Sequence, residues 1–163
     1  MKKIFLLFTF LTTLLLSAEY GVLEKIKDGD TMVFRAEGRL ITCRLEGIDT
    51  PEKFATAKLD KDASKAGVGC EALKQAGEAS TDFAKRTLKV GKNYKLEVDK
   101  NDKYGRALCL VYDGQSLFNK DIVAEGYAVV YQVGKYIKDD SLKRELLTAE
   151  REAKEKNRGL WNG

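Results

Sequence analysis

No histidine occurs anywhere in the 163 residues, and that absence excludes more chemistry than any other feature of the chain. Imidazole is the base, the nucleophile's partner or the metal ligand in Ser-His-Asp hydrolases, Cys-His proteases and histidine-ligated zinc enzymes, so all three classes are ruled out. Cysteine is scarce as well. Cys43, Cys70 and Cys109 are widely spaced and form no Cys-x-x-Cys pair, which leaves no framework for a structural zinc site. From Glu19 onward no stretch is apolar enough to span a bilayer. What remains for hydrolysis is carboxylates, arginines and a cation that prefers oxygen ligands.

The first eighteen residues read as a segment apart from the fold. Lys2 and Lys3 precede an apolar run from Ile4 to Leu16, broken only by Thr9, Thr12 and Thr13, and Ser17 and Ala18 follow it. Charge, apolar core and small residues in that order describe a secretory signal peptide, and the run is shorter than the roughly 20 residues of a membrane-spanning helix. Export, secreted or to the cell envelope, is therefore the expectation. An uncleaved N-terminal anchor is the alternative, because Leu15 or Leu16 occupies the position where a small residue is preferred. Residues 19–163 then suit one domain with one core. The formal charge is +4, two units of which come from Lys2 and Lys3, so the mature chain is mildly basic and admits a polyanionic partner without requiring one.

Cys43 alternates with Ile41 and Leu45, and Cys109 with Ala107 and Val111. Both therefore face a core, and buried apolar thiols are the favoured reading. A Cys43–Cys109 disulfide is the alternative that spacing leaves open.

The front half alternates in the manner of strands. Tyr20 to Lys27 stops at the Asp28-Gly29-Asp30 turn, Thr31 to Ala36 follows, Glu37-Gly38 turns the chain, and Leu40 to Leu45 makes a third strand. Beyond Pro51, the polar stretch Lys53 to Gly69 shows no sustained period and reads as a long loop. Ala72, Ala76, Ala79, Phe83 and Thr87 line one face of a helix over about Glu71 to Lys89, or only from Glu78. Strands are expected over Tyr94 to Val98 and Arg106 to Tyr112, then a helix capped by Ser116 and running to Gly126. A last helix spans Ser141 to about Lys156, with Gly159 as its stop and Trp161 docking the tail. The order predicts an α+β chain, mainly β, in which a five-stranded barrel carries about three packed helices.

Three clusters could carry chemistry: Asp28-Gly29-Asp30-Thr31, Arg44 to Glu52, and Asp102-Lys103-Tyr104-Gly105-Arg106. Taken singly, each has an ordinary explanation as a turn. Together they hold an inventory for phosphodiester cleavage without histidine. Asp30 and Asp49 with a backbone carbonyl make a hard-oxygen site for Ca²⁺ or Mg²⁺. Arg44 and Arg106 can grip phosphate oxygens bidentately, and Glu52 can take a proton from an attacking water.

These clusters, in this order and spacing, resemble those of the staphylococcal nuclease (thermonuclease) family, and the resemblance runs from about Ile26 to Trp161. It implies an OB-fold, Greek-key barrel and a calcium-dependent nuclease that cuts DNA and RNA to 3′-phosphorylated products. It implies that Asp30, Asp49 and the Thr50 carbonyl hold Ca²⁺, that Arg44 and Arg106 bind and stabilise the phosphoryl group, and that Glu52 is the general base. Lys103 and Tyr104 fall where the family contacts a neighbouring phosphate, although a surface lysine and a packing tyrosine explain them equally well. Tyr131 and Tyr136 both lie near a substrate-stacking position. The stretch between Glu52 and Phe83 is about a dozen residues longer than in the best-known member, and its Lys53, Lys58, Lys61 and Lys65 could meet a phosphate backbone, although solvated surface lysines are the favoured reading. The alternative function is a non-catalytic OB-fold module that binds nucleic acid. No stable protein partner is implied, a monomer is expected, and a membrane enters only with an uncleaved anchor.

Overall fold

Strand-forming segments separated by glycine-bearing turns build the first layer of the molecule. The computed structural model describes residues 19–67, 69–131, 137 and 139–162; the expected signal segment and Tyr136 lie outside them. Strands β1 (Glu19–Ile26), β2 (Thr31–Ala36) and β3 (Arg39–Leu45) form an antiparallel meander. The β2–β3 turn places Glu37 and Gly38 at φ 48° and 76°, the primed geometry whose twist matches two paired strands. After the short β4 (Ile48–Asp49), helices α1 (Ala57–Ala66) and α2 (Cys70–Thr87) follow. Next come β5 (Asn93–Asn101), β6 (Ala107–Asp113), β7 (Ser116–Leu117) and helix α3 (Phe118–Ala124). The chain ends with β8 (Val129–Val130), helix α4 (Asp140–Glu155) and a 3₁₀ turn at Gly159–Trp161.

The sheet runs β3-β2-β1-β5-β6-β7, and β3 also pairs in parallel with β6. That pairing closes β1, β2, β3, β5 and β6 into the five-stranded barrel expected from the sequence. Its inward faces bury Leu23, Met32, Phe34, Leu45, Leu96 and Val111 completely or nearly so. Closure abolishes the open edges that a flat sheet would expose.

Two expectations need correction. Cys43 and Cys109 are joined by a disulfide across the closing β3–β6 pair, with Cα atoms 5.6 Å apart; they are not free buried thiols. Lys53 to Gly69 is not a plain loop either, because α1 occupies most of it, so the described residues hold four α-helices. Thr56 caps α1, accepting a hydrogen bond from the Leu59 amide at 3.4 Å. Among its described side chains, Leu59 and Ala63 are the buried ones, and it packs on α2. Two apolar positions one turn apart are too few to register as a period.

Smaller differences concern boundaries. Helix α2 runs its full length from Cys70. Ser116 does not cap α3; it belongs to β7, and its hydroxyl donates to Asp121 Oδ2 at 2.6 Å. Asp139 caps α4. The tail docks as expected, with the Leu160 amide donating to the Gly126 carbonyl at 3.0 Å and Lys154 lying over the Trp161 ring.

Candidate active site

The residues expected to hold the cation, the phosphate and the proton come to one cleft at an end of the barrel, whereas Lys53 and Lys61 do not line it and the Lys65 side chain lies outside the described residues. Asp30, Arg44, Asp49, Thr50, Glu52, Lys103, Tyr104 and Arg106 all line a depression of about 370 Å³, and Tyr131 stands on its rim. Topology explains the convergence. Asp30 closes the β1–β2 turn, Arg44 sits on β3 between Thr31 of β2 and Leu108 of β6, and Asp49 lies on β4, paired with Val129. The β5–β6 turn supplies the opposite wall.

Arg44 is the hub of the acidic wall. Its Nη1 lies 2.8 Å from Asp30 Oδ2 and its Nη2 2.6 Å from Asp49 Oδ1, so two carboxylates from separate segments grip one guanidinium. Asp30 is almost fully buried, and its Oδ2 also accepts the Thr50 amide at 2.9 Å and the Thr50 hydroxyl at 2.8 Å. Its Oδ1 accepts the Thr31 hydroxyl at 3.0 Å. Thr50 therefore orients Asp30 through two donors, a role that the sequence did not suggest.

The acids are crowded. Burial, and then the charge of Asp30, push the Asp28 carboxyl up to about 6. Burial likewise raises Asp49, with Arg44 and Lys58 opposing it only in part. Desolvated carboxylates held this close are stabilised by positive charge.

The facing wall is a rigid turn. Asp102 Oδ1 accepts the amides of Tyr104 at 2.9 Å and Arg106 at 3.0 Å, and its Oδ2 accepts Arg106 Nε at 2.7 Å. Burial would raise the Asp102 carboxyl, but these bonds from Arg106 and Tyr104 outweigh it and hold it below the ordinary range. The turn thereby aims Arg106 and presents Tyr104, 72% exposed, with Lys103 and Arg106 stacked against its ring at 4.9 and 5.5 Å. Tyr104 is thus an exposed aromatic flanked by cations, not a packing residue.

Glu52 follows Pro51, and its Oε1 accepts the Phe54 amide at 3.1 Å. The segment is set by α2. A methyl group on Gly77 would come within 2.6 Å of the Pro51 carbonyl oxygen and 2.8 Å of the Lys53 amide, so only glycine lets the helix approach this backbone. From the other side, the buried Asn119 of α3 ties the site to the barrel. Its Nδ2 donates to the carbonyls of Glu46 and Cys109, both at 3.0 Å, and its Oδ1 accepts the Val111 amide at 3.1 Å. Neither residue stood out in the sequence. An asparagine followed within a few positions by Ile122 and Val123 was the available sign of a buried polar anchor.

Among the described residues no three carboxylate or cysteine side chains converge on a single point. The available metal set is smaller: the carboxylates of Asp30 and Asp49, which meet at Arg44, with Thr50 beside them on the cleft wall, all of them residues with hard oxygen donors. It fits a divalent ion of the calcium class, because Asp30 and Asp49 already share one cation between them.

Residues 42–163 match the family model described as staphylococcal nuclease homologue. The chain belongs to this family. Within the range of these homologues, a thermonuclease of Staphylococcus intermedius is 30% identical over 145 residues, covering 88% of this chain and 76% of that protein. An uncharacterized endonuclease of Escherichia coli O157:H7 is 30% identical over 158 residues, 96% of this chain and 86% of that one. An uncharacterized protein of Methanocaldococcus jannaschii is 37% identical over 153 residues, 88% and 72% of the respective chains. The similarity to these three relatives extends over most of the chain.

Proposed function

We propose that this chain is an exported, calcium-dependent nuclease that hydrolyses phosphodiester bonds of DNA and RNA. The observation that carries the reading is the cleft itself: buried Asp30 and half-buried Asp49 clasp Arg44 and share the cleft with Arg106, Lys103 and Tyr104, in a chain of the nuclease homologue family. The relatives named thermonuclease and endonuclease support it. The disulfide supports export, since such bonds persist in oxidising compartments.

Asp30, Asp49 and the Thr50 carbonyl would hold Ca²⁺, which when bound supplies positive charge for the phosphoryl oxygens. With only two carboxylates, binding falls toward the weak end of protein calcium sites. Arg44 and Arg106 reach the phosphate from opposite walls, and their planar forks suit its non-bridging oxygens. Glu52 takes a proton from the water whose oxygen attacks phosphorus. The bond from phosphorus to the 5′-oxygen breaks, Arg106 donates a hydrogen bond to that oxygen as it leaves, and the oxygen takes a proton from solvent water to become a hydroxyl, so the phosphate stays on the 3′ side. Tyr104 and Lys103 offer a ring and a charge to the neighbouring nucleotide.

Purified residues 19–163 should nick a supercoiled plasmid with Ca²⁺ and stop when chelator is added. Binding of DNA without any nicking in calcium would overturn the enzyme reading in favour of a binding module.

A further inference from the structure

Helix α1 brings to the cleft a cation that the barrel does not supply. Lys58 stands in the first turn of α1, with its Nζ 3.6 Å from Asp49 Oδ2 and 3.0 Å from Asp62 Oδ2. Arg44 already holds the other oxygen of Asp49. Asp62 lies one helical turn beyond Lys58, so the lysine stands between an acid of the barrel and an acid of its own helix. Leu59 and Ala63, both buried, fix α1 against α2. The lysine is thus presented by an anchored element and not by a drifting loop.

We propose that Lys58 is a positioning residue that competes with the divalent cation for Asp49 and transfers to Asp62 when the cation binds. The inference rests on the reading of Asp30 and Asp49 as metal ligands. A divalent ion on Asp49 repels an ammonium group a few ångströms away, and Lys58 must yield. Asp62 is already within ion-pair distance, so the transfer asks for a change of side-chain torsion and no movement of the helix. The Lys58 side chain is 46% exposed, and an ion pair that open to solvent shifts a competing equilibrium by about fivefold at most. Lys58 therefore tunes calcium affinity downward and does not gate the cleft absolutely.

Calorimetric titration of Ca²⁺ into the oxidised protein, with no substrate present, tests the latch. Lys58→Met should bind calcium about two- to fivefold more tightly than wild type, and Lys58→Gln should behave alike if the methionine variant folds poorly by circular dichroism. Asp62→Asn should bind calcium more weakly, because Lys58 is left with Asp49 alone, and that effect should shrink when Lys58 is also Met. Unchanged or weaker affinity in the Lys58 variants overturns the proposal, as does an Asp62→Asn effect of equal size with and without Lys58. Asp49→Ala separates this failure from that of the metal reading. If wild type and Asp49→Ala bind calcium equally, the ligand assignment falls and the latch with it.

Discussion

Removing the Cys43–Cys109 bond should destabilise this domain more than any single surface change. The bond joins residues 66 apart in sequence, and the chain-entropy relation gives about 4 kcal/mol for closing a loop of that length in the unfolded state. Its position adds to the expectation. The β3–β6 seam that closes the barrel pairs only Cys43, Arg44 and Leu45 with Ala107, Leu108 and Cys109, so few ladder bonds are available to hold it once the crosslink is gone. For a domain of this size about 4 kcal/mol corresponds to roughly 8–16 °C in melting temperature, or about 2 M in urea midpoint at a slope near 2 kcal/mol per molar. The cleanest comparison is oxidised against reduced protein in a Cys70→Ser background. The exposed Cys70 thiol then cannot exchange with the bond, and no atom is deleted from the core. Urea titrations followed by far-UV circular dichroism would read the shift. A midpoint that moves by less than about 0.5 M on reduction refutes the reasoning, because it means that the seam is held without its crosslink.

Arg44→Ala and Arg106→Ala should each lower plasmid turnover by about a hundred- to a thousandfold or more, since both are placed to meet charge that develops in the transition state; near-normal single-turnover rates in either would remove it from the phosphate clamp. Gly77→Ala should reduce turnover by about a hundredfold by displacing Glu52, because the new methyl would press on the Pro51–Lys53 backbone; wild-type turnover with a raised melting temperature, as helix propensity alone predicts, would refute it. Asp28 supplies a pH signature in calcium-free protein. Burial raises its carboxyl from 3.8 to about 6, so between those values the folded chain keeps a proton that the unfolded chain has lost. Stability should therefore fall as pH rises from about 4 to about 6 and level off above, by up to about 3 kcal/mol. Urea titrations across that range should show the slope flattened in Asp28→Asn, and parallel curves for the two proteins would contradict the assignment.

What was legible in the sequence follows from how each feature is encoded. The barrel strands alternate in burial and end in glycine turns, and both signals are local, so β1, β2, β3, β5 and β6 could be placed within a residue or a few. The residues that line the cleft were legible for a different reason. Asp30, Arg44, Asp49, Thr50, Glu52 and Arg106 are polar residues at strand ends and turns, where a core has no use for them, and three such clusters in one short chain point to a shared place. The disulfide was harder. Alternation told that Cys43 and Cys109 face inward, but not that a parallel β3–β6 seam sets their Cα atoms 5.6 Å apart, since that seam exists only once the barrel closes.

The residues that went unread are those whose role is made by contact between distant segments. Asn119 is an ordinary polar residue of a short helix until the barrel brings the carbonyls of Glu46 and Cys109 to its amide. Gly77 is an ordinary helical glycine until the backbone of Pro51 to Lys53 arrives beside it. Lys58 is the instructive case. In a loop with no period it counted as one solvated lysine among several, but the cap at Thr56 and the burial of Leu59 and Ala63 turn that stretch into a helix. The helix fixes which lysine faces Asp49, and Lys61, three residues on, is left exposed on the surface. The polar inventory of a cleft is therefore written locally, residue by residue, whereas the contacts that set it are written in packing. Helix α1 works through the second route, so its effect should be sought in calcium affinity and not in the identity of the reacting groups.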